Sequence, residues 1–190
     1  LCESLDGDPT QEMNVAALFE ILKIPYTGNT ALTLGLALNK SRVKEILHYY
    51  DIPTSAHYLC SDVSKFRENG YDKLKDKYPL IVKPSREDAS IGIENKSVVY
   101  SEEELKQRIE YILDEYKQPA LVEQFIDGRE INVSVVGNVK NNSEDDLIVF
   151  PISEIDFSAL PADYPKIVSY NSKWMYKTVE FAGTKAVCPA

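Results

Sequence analysis

Hydrophobic spacing divides the chain into a helical first part and a later part that mixes strands with helix. Up to residue 50, apolar residues recur three or four positions apart, which places them on one face of a helix. Further along, short apolar runs are bounded by Pro, Gly and polar residues, as in strands. The predicted helices cover a segment that starts at residues 9–12 and ends at 22, then 31–38, 39–50 and 101–117. The predicted strands cover 57–60, 80–83, 97–100, 120–125, 130–136 and 147–152. The charged residues 61–77 are expected as surface helix or loop, 141–146 as a polar hairpin loop and 158–190 as a looser segment. This order predicts an α+β fold, with helices packed on largely antiparallel sheets.

Three helices carry more specific expectations. Residues 31–38 read ALTLGLAL, and a helix that is apolar on nearly all sides is expected to be buried. Asn39 stands where an N-cap would begin the next helix. Ser101 and Glu104 form a capping-box pattern at the start of the helix over 101–117.

Composition disfavours several classes of function. The 190 residues suit one domain or two small ones, and a formal net charge of -9 disfavours a nucleic-acid partner because phosphates repel an acidic surface. No apolar run approaches the ~20 residues that span a bilayer, so no membrane partner is expected. The three cysteines and two histidines form no metal-spacing motif, which predicts reduced thiols in the cytoplasm and no metal ligands. The chain does not begin with Met, so we expect it to be part of a longer protein.

The most informative stretch is residues 78–93, YPLIVKPSREDASIGI. An apolar strand delivers Lys83 to its end, Pro84 follows, and a loop of small and polar residues leads to Gly92. A lysine point charge beside unobstructed backbone N–H groups suits the binding of phosphates. The same layout also fits a plain surface turn, so this stretch alone leaves both interpretations open.

Four other charged residues stand at the ends of elements. Lys40 lies in the first turn of a predicted helix, where the helix dipole disfavours a cation unless an anion is nearby. Lys173 lies between Ser172 and Trp174 in the looser segment. Glu123 ends one predicted strand and Glu130 begins the next.

The two glutamates suggest a nucleoside site. Glu123, with the backbone of Gln124 and Ile126, could hydrogen-bond the amino edge of a purine, and Glu130 could accept from ribose hydroxyls. Glutamates at strand ends are more often simply solvated. The hypothesis therefore depends on all of these residues occurring together.

Six segments resemble a known family: DGDPTQE, IPYTGN, LALNKSRVKEIL, YPLIVKPSREDASIGI, LVEQFIDGREINVSVVG, and YNSKW followed by VCPA. Together they resemble the D-alanine–D-alanine ligase branch of the ATP-grasp superfamily over nearly the whole chain. The resemblance implies an ATP-grasp fold that is truncated at both ends. In that arrangement residues 1–38 end the N-terminal domain, 39–124 form the ATP-grasp small subdomain, and 125–190 start an incomplete C-terminal subdomain.

The resemblance also implies roles for individual residues. The cofactor would be ATP, with Mg²⁺ ligands expected beyond residue 190, and the reaction would join a carboxylate to an amine through an acyl phosphate. The implied partners are small amino-acid or peptide substrates in the cytoplasm, and a homodimer is left open. Lys40 and Lys83 would bind the phosphates; the loop 85–92, with Ser90, would close over them; Glu123, Gln124 and Ile126 would hold adenine; Glu130 would hold ribose; and Lys173 would be catalytic at the γ-phosphate.

Three positions depart from the family pattern. Asp88-Ala89-Ser90 replaces Gly-Ser-Ser, and Trp174 replaces a tyrosine that normally works with the middle serine on the amino-acid substrate. Because a hydroxyl pair at a polar site becomes a methyl and an indole N–H, we expect a substrate other than D-alanine. We also expect no turnover by this piece alone. The alternatives are an ATP-binding or regulatory module without ligase activity, and a structural α+β domain.

Overall fold

The computed structural model describes residues 4–67, 70–138 and 147–190. The chain forms two compact units, Leu1–Ile126 and Asp127–Ala190. The three-part division expected from the sequence, with residues 1–38 in a preceding domain, stays a prediction.

Three helices open the first unit: α1 (Glu12–Leu22), α2 (Ala31–Leu38) and α3 (Lys40–Tyr49). A 3₁₀ turn over Pro9–Gln11 leads into α1. The predicted N-cap of α3 is confirmed, because the Asn39 side chain accepts from the Arg42 N–H at 3.4 Å. The predicted helix boundaries are confirmed to within two residues because local caps fix them.

The expected burial of α2 is wrong. Ala31 is buried, but the Leu32 side chain is 80% exposed. On the side that faces α1 the two helices approach closely, since a Cβ on Gly35 would lie 2.6 Å from the Met13 sulfur. A helix that is apolar all round has no polar face to indicate which side is covered, and the described residues cover only part of it.

An antiparallel sheet forms the centre of the first unit. Its strands are β1 (His57–Cys60), β2 (Leu80–Pro84), β3 (Val98–Val99) and β4 (Ala120–Gln124), in the order β1-β4-β2-β3. Helix α4 (Glu102–Tyr116) packs on one face. Half of its predicted capping box is present: Ser101 accepts from the Glu104 N–H at 3.2 Å, while the Glu104 carboxylate accepts from Tyr100.

The hydrophobic core lies between this sheet and α4. On α4 the buried residues Leu105, Ile109 and Ile112 recur at helical spacing. The expectation that 61–77 is only a surface segment is wrong, because its 3₁₀ turns place Phe66, Tyr71 and Leu74 in the core while the charges point outward. The core residues are Tyr58, Cys60, Phe66, Tyr71, Leu74, Leu80, Val82, Val99, Leu105, Ile109, Ile112, Ala120 and Val122.

The second unit contains a three-stranded sheet, a strand pair and two short helices. The elements are β5 (Glu130–Asn132), β6 (Val135–Val136), β7 (Ile148–Val149), β8 (Ser153–Asp156), β9 (Lys185–Val187), α5 (Tyr170–Trp174) and α6 (Val179–Gly183). The strands form the antiparallel sheets β5-β8-β9 and β6-β7.

Two expectations for the second unit need correction. The single strand predicted over 130–136 is two short strands in different sheets, and the segment over 158–190 contains two helices and a strand. The predicted pairing across the hairpin is confirmed, since Val135 lies opposite Val149. The predicted loop 141–146 lies outside the described residues. Within the described ranges, no helix is long and apolar enough to cross a membrane.

Candidate functional site

A buried carboxylate lies at the centre of the candidate site. Glu123 is on β4, between β1 and β2, and is only 3% exposed. Its register partner on β2 is Ile81, so Lys83, two residues further along, projects from the same sheet face as a diagonal neighbour. Lys83 forms a salt bridge with Glu123 Oε2. The other carboxylate oxygen, Oε1, lies 2.5 Å from the Lys44 ammonium, which comes from α3.

The surroundings of Glu123 favour its ionised form. Burial alone would raise the pKa of this carboxyl, because a charge loses its hydration there. The attraction of Lys83 and the hydrogen bonds from Lys44 and Lys83 outweigh burial, so the pKa of Glu123 lies below its ordinary value. The Ser55 hydroxyl adds a hydrogen bond to Oε1 at 3.3 Å. The sheet face therefore carries a fixed negative charge between two cations.

Lys40 brings a third cation to this side of the sheet. It lies four residues before Lys44 on α3, and residues at this spacing share a helix face. Its backbone N–H donates to the Ser85 carbonyl at 3.1 Å, and its ammonium contacts the Glu87 carbonyl.

The electrostatic environment of Lys40 shows that the cations converge. Burial and the repulsion of Lys83 lower the pKa of Lys40 to about 8. The carboxylates of Asp88, Glu87 and Glu123 act in the opposite direction without cancelling the shift. An anion with several negative oxygens would relieve this repulsion.

Hydrogen bonds hold the start of the loop after β2, and a tight turn follows. The buried Ser85 donates its N–H to the Pro119 carbonyl at 3.2 Å, and Arg86 donates its N–H to the Gln118 side chain at 2.7 Å. Ala89 and Ser90 then adopt positive φ of 47° and 64° in a tight turn over residues 88–91.

The far end of this loop is attached to α4. Gly92 has φ of +73°, and its carbonyl accepts from the Arg108 guanidinium at 2.8 Å. Arg108 is 5% exposed, also donates to Ser97 Oγ at 2.9 Å and pairs with Glu94. Both ends of the candidate phosphate loop are therefore held by hydrogen bonds to other parts of the first unit.

The first unit brings together Lys40, Lys83 and Glu123 among the residues predicted from sequence. Two further candidates, Gln124 and Ile126, lie one and three residues after Glu123. The Gln124 N–H donates to the Ala56 carbonyl at 2.9 Å, and Ile126 is exposed. Ser90 lies on the anchored loop of the same unit. Their roles remain predictions.

The other two candidates belong to the second unit. Glu130 begins β5, opposite Ile155 of β8. Lys173 lies in α5. This helix begins at a reciprocal capping box, in which the side chains of Ser169 and Ser172 accept from each other's backbone N–H. Their assignments to ribose and to catalysis stay predictions.

Sequence reasoning missed Lys44 and Arg108. Lys44 could have been noticed because it stands one helical turn after Lys40. Nothing in the local sequence marks Arg108, since its partners come from residues 92–97 and become neighbours only through the fold. Within the described residues, no three His, Cys, Asp or Glu side chains form a group that could hold a metal ion.

Comparison with known proteins places this site in a family. A D-alanine–D-alanine ligase from Bacillus anthracis, solved in complex with ATP, aligns with a TM-score of 0.60 and 28% identity over 76% of this chain and 43% of that protein. The VanG D-Ala:D-Ser ligase from Enterococcus faecalis aligns with a TM-score of 0.67 and 25% identity over 93% of this chain and 45% of that protein. The fold is that of an ATP-grasp protein, which confirms the predicted α+β class.

The sequence matches identify the family within that class. The family described as "D-ala D-ala ligase C-terminus" matches residues 50–187. The D-alanine–D-alanine ligase of Carboxydothermus hydrogenoformans is 35% identical over 80% of this chain and 46% of its own length. The ligase of a Marinomonas species is 34% identical over 94% and 50%. The chain belongs to the D-alanine–D-alanine ligase family, and it spans about half the length of the curated relatives it matches.

Proposed function

We propose that the protein is an ATP-dependent ligase that joins a carboxylate to an amine through an acyl phosphate. The observation that carries the proposal is the buried Glu123 between Lys83 and Lys44, with Lys40 close enough for its pKa to be lowered by Lys83. Such a group of cations around one carboxylate on an ATP-grasp sheet suits a nucleotide with its base at the carboxylate and its phosphates at the lysines.

Three residues at the end of β4 and just after it bind the adenine base. Glu123 accepts from the amino edge of adenine, and the Ile126 N–H donates to a ring nitrogen. The Gln124 N–H is already engaged with Ala56, so its carbonyl oxygen is the group that serves the base.

The phosphates are held by cations and by the loop. Lys40 and Lys83 bind the phosphate oxygens, and Ser90 contributes from the loop. In phosphoryl transfer, negative charge spreads over the transferring oxygens, so cations positioned in advance stabilise the transition state. Glu130 binds the ribose hydroxyls and Lys173 the γ-phosphate, as the family resemblance implies. The described residues offer no carboxylate group that fits Mg²⁺, and no step is assigned to a metal ion.

Two departures from the family's sequence pattern favour a substrate other than a pair of D-alanines. Ala89 has no hydroxyl and Trp174 offers only an indole N–H, where the family pattern has a serine and a tyrosine. A relative of similar fold is named a D-Ala:D-Ser ligase, so substrates differ among proteins of this fold. The same two positions, with Asp88, favour one alternative, an ATP-binding module that has lost ligation.

Titration calorimetry with ATP tests the nucleotide site. We expect wild-type protein to bind ATP and Lys83→Met to bind about 10- to 100-fold more weakly, the scale of a lost charge-assisted hydrogen bond. Lys75→Met is the matched control, because Lys75 is an exposed lysine that pairs with Asp72 and should not affect binding. A folded sample that binds no ATP, or equal affinity in Lys83→Met, would refute the assignment.

A second assay separates the two functions. Full-length protein is given ATP and pairs of amino acids, and phosphate release is measured. Release that depends on both amino acids supports ligation. ATP binding without any release, over a broad set of pairs, supports the module.

A further inference from the structure

The Lys44 ammonium uses all of its donors inside the protein. It lies 2.5 Å from Glu123 Oε1, 2.7 Å from Thr54 Oγ1, 2.8 Å from Ser55 Oγ and 3.3 Å from the Ser55 carbonyl. An ammonium has three N–H groups, so these four acceptors saturate it. Its side chain is 12% exposed. Lys44 therefore has no donor left for a ligand.

Lys83 binds the other oxygen of the same carboxylate and has fewer hydrogen-bonding partners than Lys44. Within the described residues, Glu123 is the single hydrogen-bonding partner of the Lys83 ammonium. The Lys83 side chain is 22% exposed, more than that of Lys44. Lys83 thus keeps donors and access to solvent that Lys44 lacks.

The difference between the two lysines matters for phosphate binding. A Lys83 that binds phosphate must give up at least part of its contact with Glu123. Glu123 is almost fully buried, and a buried carboxylate that loses its only counter-ion is strongly unfavourable. The second cation removes that penalty, because it stays on Oε1 whatever Lys83 does.

We propose that Lys44 is a positioning residue: it is the fixed counter-ion of Glu123, and it allows Lys83 to exchange from Glu123 to the phosphates of the nucleotide. The inference rests on the proposed ATP site. The hydrogen bonds to Thr54 and Ser55 hold Lys44 in place, since both residues come from the segment that leads into β1. Without Lys44, Glu123 would retain Lys83 and compete with phosphate for it.

This role predicts a loss that depends on phosphate. Lys44→Met should weaken ATP binding about 10- to 100-fold, the range of one charge-assisted contact, and weaken adenosine binding less than about threefold. Adenosine has no phosphate to draw Lys83 away, so its binding does not require the exchange. Lys44→Arg keeps the positive charge and should restore ATP affinity. Arg42→Met is the control on the same helix, because Arg42 is exposed and pairs with its helix neighbour Glu45.

A second comparison does not depend on Lys44→Met being folded. Glu123→Gln removes the negative charge that Lys44 neutralises. In that background Lys44 has no counter-ion role, so Glu123→Gln and Glu123→Gln/Lys44→Met should bind ATP within about twofold of each other.

The experiment is calorimetry with ATP and with adenosine, with thermal melting to show that each variant is folded. Equal losses for ATP and adenosine in Lys44→Met, or a further loss when Lys44→Met is added to Glu123→Gln, overturn the inference while the ATP site stands. Failure of folded wild-type protein to bind ATP overturns the proposed function, and the inference with it. A loss confined to ATP, absent from the Glu123→Gln background, supports it.

Discussion

The titration of Lys40 gives the sharpest test of the phosphate site. Burial and the charge of Lys83 lower the pKa of Lys40 to about 8, while Asp88, Glu87 and Glu123 partly oppose them. Phosphate oxygens bind the protonated ammonium and gain little from the neutral amine. ATP affinity should therefore fall as the pH rises through 8, because the binding-competent form of the free protein is lost.

The size of the effect follows from the fraction of protonated Lys40. With a pKa of about 8, roughly nine tenths of the side chain is charged at pH 7 and one tenth at pH 9. The apparent dissociation constant scales inversely with the competent fraction, so it should rise about tenfold between these values. The nucleotide contributes little to this change, because the last ionisation of a phosphate monoester lies near pH 6 and is largely complete by pH 7.5.

Calorimetry from pH 7 to 9.5 measures this dependence, with two variants as references. Lys40→Arg carries a charge that does not titrate in this range, so its ATP affinity should stay nearly constant. Lys40→Met should bind more weakly at pH 7 and show the same flat profile. A flat profile in wild-type protein, or an equal slope in Lys40→Met, would refute the assignment of this lysine to phosphate.

Three further predictions concern stability. Gly92→Ala should lower the free energy of unfolding by about 2–5 kcal/mol in urea melts, because φ of +73° strains Ala and its Cβ would lie 2.5 Å from the Pro84 ring. Gly7→Ala is the control: its φ is +78°, but a Cβ there would meet no atom within 4 Å. This variant should lose only the smaller free energy that comes from backbone strain. Arg108→Met should lower the free energy of unfolding by about 2–4 kcal/mol, since the part-buried Gly92 carbonyl and the buried Ser97 hydroxyl lose their donor. Arg67→Met, in an exposed pair with Glu102, should show no measurable loss. Between pH 8 and 10 the unfolded chain keeps a proton on Lys40 that the folded chain releases. Lys40 therefore makes the free energy of unfolding rise with pH in this window. Lys40→Met should remove this part of the rise, as measured by urea melts at a series of pH values.

Local signals in the sequence were sufficient for most of the elements. Asn39 and Ser101 accept from backbone N–H groups at the helix starts where their side chains predicted them. The strand over His57–Cys60 has the predicted bounds. Caps, prolines and apolar runs act over a few residues, so a single sequence is enough to read them.

Properties that depend on distant partners could not be predicted in the same way. The exposure of Leu32 depends on which residues cover α2, and the burial of Leu74 depends on α4 and the sheet. A charged stretch and an apolar helix were therefore assigned to the wrong environments. Division of the segment 130–136 between two sheets likewise depends on partners in β7 and β8.

The candidate site shows the same limit and its consequence for function. The sequence predicts Lys40, Lys83 and Glu123 as separate residues at element ends, but their energetic relationship appears only in the antiparallel register of β2 and β4 and the placement of α3. Under the proposed function, that relationship accounts for the binding of a polyanion by a chain with a net charge of -9. Three lysines converge on one sheet face, and the single buried carboxylate among them is neutralised by the lysine that has no free donor. Asp88 and Glu87 offset only part of the charge of Lys40. Lys40 and Lys83 therefore keep positive charge available for a ligand, and the effect of substituting either one should depend on whether Lys44 still holds Glu123.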